Sequence, residues 1–391
     1  SVRAAKAAKG AFPPGWRFEA GTDATFAEHA MVVSMSRFAS EAGVEIMKAG
    51  GNAVDAAVAT GFALAVTYPS AGNIGGGGFM TIRLANGRTA ALDYRETAPA
   101  AATRDMYLGP DGKLTNKSTV GYLASGVPGS VAGMAEALAK YGSMPLAKVM
   151  APAIRLASEG YLIERDTSRA AAPCSRLIAQ FGGKALFCPG GEALKGGTLF
   201  RQPDLARTLT LIAAQGARAF YEGAIADSLV AEERRGGGII TKADLKGYKP
   251  IWRTPITSTY RGHTLIAMPP ASSGGVTMAE TLNILEQFAP LPPAGSAAYA
   301  HLVAEALRRS FTDRNQKLGD PQFVKVPMDQ LTDKAYAKSL ASQIDRTKAS
   351  RTPAFSAGPE PEHTTHYSVV DAHGNAVATT TTLNGGYGSG V

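Results

Sequence analysis

Two threonines near the end of this 391-residue chain are placed to share one reaction: Thr364, in "EHTTHYSVV", and Thr382, in "AVATTTTLN". The segments "HYSVV" and "AVATTTTLN" flank the turn "DAHGN", and a symmetric hairpin that pairs Val370 with Ala376 sets Thr364 opposite Thr382. Directly opposed residues of an antiparallel pair hold their Cβ atoms about 4.5–5.5 Å apart, so two hydroxyls meet there if the register holds. Threonine is also a good strand former, and the pattern alone leaves "TTTT" readable as nothing more than a strand. The junction in front of Thr364 adds weight to the chemical reading. There the Pro-rich stretch "ASRTPAFSAGPEPEH" ends at His363, and a strand begins on a residue with a hydroxyl. Cutting the His363–Thr364 bond would give Thr364 a free α-amino group of pKa about 8, a weak base beside its own nucleophile. That is the equipment of a self-processing hydrolase.

Arg95, in "LDYRE", is the second chemical candidate. A two-residue turn at Asn86-Gly87 pairs Ala85 with Arg88 and places Arg95 opposite Gly78. A guanidinium facing a residue without a side chain has open space above it, as capture of a substrate carboxylate by a two-pronged fork requires. The plainer alternative is a surface arginine paired with Asp93 or Glu96. The glycine run "GNIGGGGFM" invites a phosphate-loop reading, but no Gly-Lys-Ser/Thr follows, the G-x-G-x-x-G spacing is not met, and the run leads into a strand.

The elements that must position these residues are helical in the middle of the chain and extended near both ends. "SEAGVEIMKA", with Ser40 as cap, and "AVDAAVATGFALAV", capped by Asn52, read as a helical hairpin broken at Gly50-Gly51. "FMTIRLANGRTAALDYRE" reads as two strands around Asn86-Gly87. Four more helices follow from apolar spacing of three or four in "GSVAGMAEALAKYG", "LAKVMAPAIRLASEG", "PDLARTLTLIAAQG" and "SAAYAHLVAEALRRSF". Strands return at "WRTPITSTYRGHTLIAM" and in the final segment. Helices lying between strand-rich regions, without strict alternation, argue against a doubly wound nucleotide fold.

Composition narrows the function classes. The net charge of +8 is scattered, with only short clusters such as Arg234-Arg235, so no stripe for nucleic acid forms. The longest weakly polar run, "AVDAAVATGFALAVTYP", carries Asp55 and falls short of a bilayer span, so it reads as a buried helix. Cys174 and Cys188 suit neither a zinc site nor a redox pair, and a local disulfide and two free thiols both remain open. The opening "SVRAAKAAKGAFPPGW" reads as a poorly packed extension, compatible with a removed targeting segment.

Seven blocks in order carry a family resemblance: "ASEAGVEIMKAGGNAVDAAVA", "TYPSAGNIGGGGFM", "LDYRETAPAAATRDMY", "ASGVPGSVAGM", "MPPASSGGV", "GDPQFVKVP" and "TTHYSVVDAHGNAVATTTTLN". Along almost its whole length the chain resembles the gamma-glutamyltransferases, members of the N-terminal nucleophile hydrolases. The resemblance implies an α/β (α+β) fold, a four-layer αββα sandwich with two antiparallel sheets between helical layers and the Thr364 strand central in one of them. It implies a single such domain made of a large-subunit region, residues 1–363, and the start of a small-subunit region, residues 364–391, truncated against the family's usual small subunit. The acidic residue that meets the substrate amino group, and the serine and glycine pairs of the oxyanion site, are not found here.

By the same resemblance the precursor cuts itself between His363 and Thr364, and Thr364 becomes the nucleophile in preference to Thr365. Thr382 assists it, Arg95 holds the substrate α-carboxylate and Asn384 binds the glutamyl carboxylate. The expected reaction takes the gamma-glutamyl group of glutathione or a similar compound onto Thr364 as an ester and passes it to water, an amino acid or a peptide, with no cofactor and no metal. Expected too are a heterodimer of large and small subunits after cleavage, a periplasmic or secreted location, and neither nucleic-acid partner nor membrane span. Two other functions fit less well: a glutaryl-cephalosporin acylase on the same scaffold, and an exported small-molecule binding protein without chemistry.

Overall fold

Asn52 starts the most deeply buried helix. Its side-chain oxygen accepts the N–H groups of Val54 and Asp55, and the Asp55 carboxylate answers by accepting the Asn52 N–H at 2.8 Å. The helix α2, Ala53–Thr67, is apolar all round, and every one of its residues is buried. Inside the protein the Asp55 carboxyl oxygens also accept from the Ser143 hydroxyl (2.6 Å) and from the Ser143 and Met144 N–H groups, so the buried polar atoms have partners. The preceding helix α1, Arg37–Lys48, packs against α2 and is capped by Ser36, not by Ser40 as the sequence suggested. Ser40 lies inside the helix, and its hydroxyl shares a hydrogen bond with that of Ser34 instead.

The computed structural model describes residues 25–164, 180–351 and 364–391. They fall into two compact units, one that holds residues 29–164, 180–253 and 364–391, the other residues 25–28 and 254–351. The first unit contains a six-stranded sheet of β1 (Met31–Val33), β2 (Gly77–Arg83), β3 (Thr89–Asp93), β6 (Ile251–Arg253), β9 (Thr364–Val370) and β10 (Ala376–Thr382). Its order is β1-β9-β10-β2-β3-β6, and each neighbouring pair is antiparallel, so a parallel nucleotide-binding sheet is ruled out for this unit. Helix α2 packs on β9 and β10, while α3 (Ser130–Tyr141) packs on β2 and β3. A further helix, α4 (Leu146–Glu159), lies against α2. These elements supply a helical layer and a sheet of the expected α/β sandwich. The only other ladders among the described residues are the two-stranded β4–β5 (Tyr161–Leu162, Leu199–Phe200) and, in the second unit, β7–β8 (Ile256–Tyr260, His263–Ala267). The second unit adds the helices Gly274–Glu286, Ala297–Lys317 and Lys334–Ala341 around a small apolar core.

The final hairpin has the register read from its sequence, Val370 opposite Ala376 and Thr364 opposite Thr382. The β2–β3 hairpin differs by one residue. Arg83 faces Thr89 and Phe79 faces Asp93, because the turn closes between Leu84 and Arg88 around the three residues Ala85, Asn86 and Gly87, with Gly87 at φ +84°. A three-residue loop ending on a left-handed glycine is the next commonest solution after the two-residue turn. It moves Tyr94, not Arg95, opposite Gly78, and the two residues exchange backbone hydrogen bonds there. The glycines before β2 serve close approach. A Cβ on Gly78 would lie 2.4 Å from the Thr380 carbonyl oxygen and one on Gly76 2.3 Å from that of Thr382.

Strands β9 and β10, from the expected small-subunit region, sit inside the sheet that the earlier strands complete. Cys188 is buried, and Cys174, like His363, lies outside the described residues.

Candidate active site

Four residues named from the sequence form one hydrogen-bonded run at the end of the β9–β10 hairpin. The Thr364 hydroxyl donates to Thr382 Oγ1 at 3.2 Å, the same Oγ1 accepts the Asn384 N–H at 2.8 Å, and Asn384 Oδ1 accepts from Arg95 Nη2 at 2.8 Å. The run exists because β10 stops at Thr382 and the chain turns back at once. Asn384 takes φ +65°, a left-handed backbone that asparagine tolerates better than most residues, and this brings its N–H to the threonine it has just passed. Thr382 is buried and Thr364 exposed, so the outer hydroxyl is open to solvent while the inner one is fixed.

The period of two sorts the threonines of β10. Thr379 and Thr381 turn to the helical side and are buried, while Thr380 shares the other face with Thr382 and hydrogen-bonds His366 Nδ1 at 2.8 Å. Burial lowers the His366 pKa below its usual value, which favours a neutral ring beside that hydroxyl. Thr365, the other candidate nucleophile, is 1% exposed and points into the protein, away from Thr382.

Of the two plain partners that its neighbours suggested, Arg95 has only Glu96, in a long ion pair. Asp93 belongs to Arg253, which donates to it through Nε at 2.8 Å and Nη2 at 2.7 Å. Glu96 Oε2 stands 3.8 Å from Arg95 Nε, beyond hydrogen-bond reach. Burial raises the Glu96 carboxyl above its ordinary value, with backbone hydrogen bonds and the Arg95 charge pulling against it. The guanidinium lies over the Phe79 ring, 5.8 Å from its centroid, and the Tyr248 hydroxyl holds the Arg95 carbonyl at 2.8 Å. With Nη2 on Asn384, the fork faces a cavity of about 440 Å³ that Arg95 and Asn384 both line.

Sequence reasoning missed Asn73 and Ser130. Asn73 Nδ2 donates to the Thr382 carbonyl (3.0 Å) and to Thr381 Oγ1 (3.2 Å), while its Oδ1 accepts from Gly76 N–H (2.8 Å) and the Ser130 hydroxyl (2.6 Å). One buried amide thus ties the end of β10 to the glycine run and to the start of α3. The "GNIGGGG" block is this anchor, and its asparagine was the available signal. Among the described residues no group of three or more His, Cys, Asp or Glu is arranged to hold a metal ion, and no helix is long and apolar enough to cross a membrane.

Comparison with known proteins places this geometry among relatives. A family profile described as Gamma-glutamyltranspeptidase matches residues 39–391. The glutathione hydrolase proenzyme of Escherichia coli K12 is 49% identical over 373 residues, covering 93% of this chain. The chain spans 64% of that relative's length. The crystal structure of Helicobacter pylori gamma-glutamyltranspeptidase superposes with a TM-score of 0.81 at 42% identity, covering 84% of this chain and 96% of that one. The cephalosporin acylase from Bacillus halodurans superposes with a TM-score of 0.80 at 30% identity, covering 97% of this chain and 70% of that one.

Proposed function

The chain belongs to the gamma-glutamyltranspeptidase family, and on that premise we propose that it is the nucleophile-bearing part of a self-processing glutathione hydrolase and gamma-glutamyltransferase. The observation that carries the reading is the run from the Thr364 hydroxyl through Thr382 and Asn384 to Arg95, which joins a nucleophile to a carboxylate-binding fork. Activation comes first. The Thr364 oxygen attacks the carbonyl carbon of His363, the C–N bond breaks as the nitrogen gains a proton, and water then hydrolyses the ester to leave a His363 carboxylate and a free Thr364 amine. The large-subunit region, residues 1–363, and the small-subunit region from Thr364 onward then remain one folded heterodimer.

In turnover the Thr364 amine takes the hydroxyl proton as the oxygen attacks the γ-carbonyl of the donor. The leaving amine departs with a proton, and the resulting γ-glutamyl ester is released to water or to the amine of an amino acid or peptide. Thr382 accepts the Thr364 O–H and aims its oxygen, while the Arg95 fork and Asn384 bind the α-carboxylate. No step calls for a metal or cofactor. A periplasmic or secreted location belongs to this proposal and would be checked by fractionation.

The test is intact mass and N-terminal sequencing of the purified full-length protein. A new chain starting "TTHYSVV", abolished in Thr364→Ala and partly kept in Thr364→Ser, is expected. A chain starting at Thr365, or turnover by uncut protein, would overturn the assignment. The likeness to a cephalosporin acylase supports a second reading, glutaryl-amide hydrolysis. A glutaryl group lacks the α-amino group of a glutamyl group, so comparing glutaryl and γ-glutamyl anilides as donors separates the two.

A further inference from the structure

One buried side chain outside the reacting groups grips the end of β10 at the residue that faces Thr364. Asn73, 6% exposed, donates from Nδ2 to the Thr382 carbonyl at 3.0 Å, to Thr381 Oγ1 at 3.2 Å and to the Ala71 carbonyl at 2.8 Å. Its Oδ1 accepts the Gly76 N–H at 2.8 Å and the Ser130 hydroxyl at 2.6 Å. Backbone partners force the orientation of this amide, because the Gly76 N–H can only donate and the Ala71 and Thr382 carbonyls can only accept. The site therefore calls for a short side chain with donors at one corner and an acceptor at the other, as asparagine has. Gly76 extends the knot, since its carbonyl accepts the Gly129 and Ser130 N–H groups at 2.7 and 3.0 Å.

We infer that Asn73 is a positioning residue for the chemistry at Thr364, acting through Thr382 in both self-cleavage and turnover. This rests on the proposed reaction and deepens it. Thr382 ends the ladder, paired with Thr364 on one side and Gly77 on the other, so its backbone is held up to that point. Its carbonyl lies past the last pairing and would turn with the peptide bond to Leu383. The Asn73 amide stops that rotation. The Thr382 carbonyl and the Asn384 N–H that returns to Thr382 Oγ1 are the two ends of one tight turn. Fixing the carbonyl fixes where that N–H arrives, and the N–H in turn holds the Oγ1 that accepts the Thr364 hydroxyl.

An aspartate at this position would have nearly the same shape and would keep the acceptor for Gly76 and Ser130. Ionised, it would turn its second oxygen on the Ala71 and Thr382 carbonyls, where oxygen meets oxygen and no donor remains. The hydrogen-bond partners of Asn73 among the described residues are backbone groups and hydroxyls, none of them charged. Burial and the two carbonyls therefore favour the protonated acid, and protonation restores one donor toward Thr382. Asn73→Asp is thus a variant whose defect a proton repairs.

The experiment uses the full-length protein. Turnover of a γ-glutamyl anilide is taken as the ratio of Asn73→Asp to wild type at pH 8 and at pH 6, which cancels the pH dependence that the Thr364 amine imposes on both. At pH 8 kcat/KM is expected about 10- to 100-fold below wild type, and the ratio should recover about tenfold at pH 6. A merely structural role is separated by a cycle with Thr382→Val. Its readout is the self-cleavage rate of precursor made by cell-free synthesis, corrected for the folded fraction. Adding Asn73→Asp to Thr382→Val should slow cleavage by less than about threefold, far short of the product of the two single losses. Asn73→Ala, which removes the amide without adding a charge, should show the same coupling and no recovery at pH 6. Single losses that multiply in the double variant, an Asn73→Asp ratio that stays flat with pH, or wild-type rates in Asn73→Ala overturn the inference. A wild-type protein that neither cuts itself nor turns over the anilide would instead sink the proposed reaction.

Discussion

Replacing Thr382 by valine tests whether a positioning hydroxyl, and not the strand alone, prepares Thr364. Valine keeps the branched shape and the strand preference of threonine, so the ladder from Thr382 to Thr364 and Gly77 should survive. The hydroxyl alone is lost, and with it two hydrogen bonds, the Thr364 O–H at 3.2 Å and the Asn384 N–H at 2.8 Å. At about 0.5–1.5 kcal/mol each, they are worth ~1–3 kcal/mol together. Lost wholly in the transition state, this would lower kcat/KM by about 5- to 150-fold at 1.4 kcal/mol per decade. The loss should divide in a definite way. Freeing the Thr364 rotamer lowers kcat, whereas freeing Asn384 from its φ of +65° loosens its contact with Arg95 and raises KM. The assay is release of the anilide chromophore from a γ-glutamyl anilide, with the rate of self-cleavage followed by gel. Thr382→Ser, which keeps the oxygen, should recover most of both rates. Wild-type kinetics in Thr382→Val would show that the hairpin register alone orients the nucleophile and that the Thr364–Thr382 bond is incidental.

Arg95→Lys should raise the Michaelis constant for γ-glutamyl donors about 10- to 100-fold with self-cleavage nearly intact, because a point charge cannot hold both Asn384 and a carboxylate in one plane. An unchanged constant by initial-rate kinetics would remove Arg95 from substrate binding. Glu305, 1% exposed in the helix Ala297–Lys317, gives a pH prediction for the second unit. Burial pushes its carboxyl up, but hydrogen bonds from Ser350 and Arg309 and the charge of Arg308 outweigh this and set it at about 2. A folded value below the unfolded one makes the carboxylate stabilising above about pH 4.5, and the contribution, up to about 3 kcal/mol, is lost as pH falls toward 2. The protection of amides in residues 297–350, corrected for the intrinsic exchange rate at each pH, should therefore fall between pH 4.5 and 3 in the wild type and fall much less in Glu305→Gln. A wild-type profile as flat as the variant's would refute the assignment.

The final hairpin was legible because both of its signals, alternation and turn, agree on one register, so Thr364 opposite Thr382 follows from counting. The first hairpin was misread by one residue although Asn86-Gly87 is a strong turn signal, because the same dipeptide fits a two-residue and a three-residue loop. Arg95 reached the site all the same. Its position depends less on strand register than on the chain leaving β3 at Asp93, after which Tyr248 and Asn384 hold it. The cap of α1 went to Ser36 for a similar reason, since two serines four residues apart both satisfy the local rule and only packing decides between them. Asn73 gave only a faint signal, an asparagine at the head of a glycine run, and what marks it in the structure is burial beside Thr382, a partner distant in sequence.

For the proposed cleavage before Thr364, the placement of β9 bears on how one strand would carry both the cut and the nucleophile. Strand β10 pairs with β9 along its whole length, from Thr364 to Val370, but β1 pairs only with Ser368, Val369 and Val370. The far half of β9 is thus held from both sides, while the half that contains Thr364 is held from one. Helix α2 packs beneath it, and Thr365, Tyr367 and Val369 are buried toward that side. Breaking the peptide bond before Thr364 removes none of these ladder bonds and none of this burial, so cleavage need not release the strand. It changes only the local charge, adding an amine at the open edge where no described strand competes for it. A proposed nucleophile held by the β10 ladder on one side, with no described strand on the other, is preorganised in position yet free to gain a base. Had β1 extended to pair with Thr364 and Thr365, the amine would have been drawn into the ladder, and the hydroxyl would have lost the base that the proposed chemistry requires.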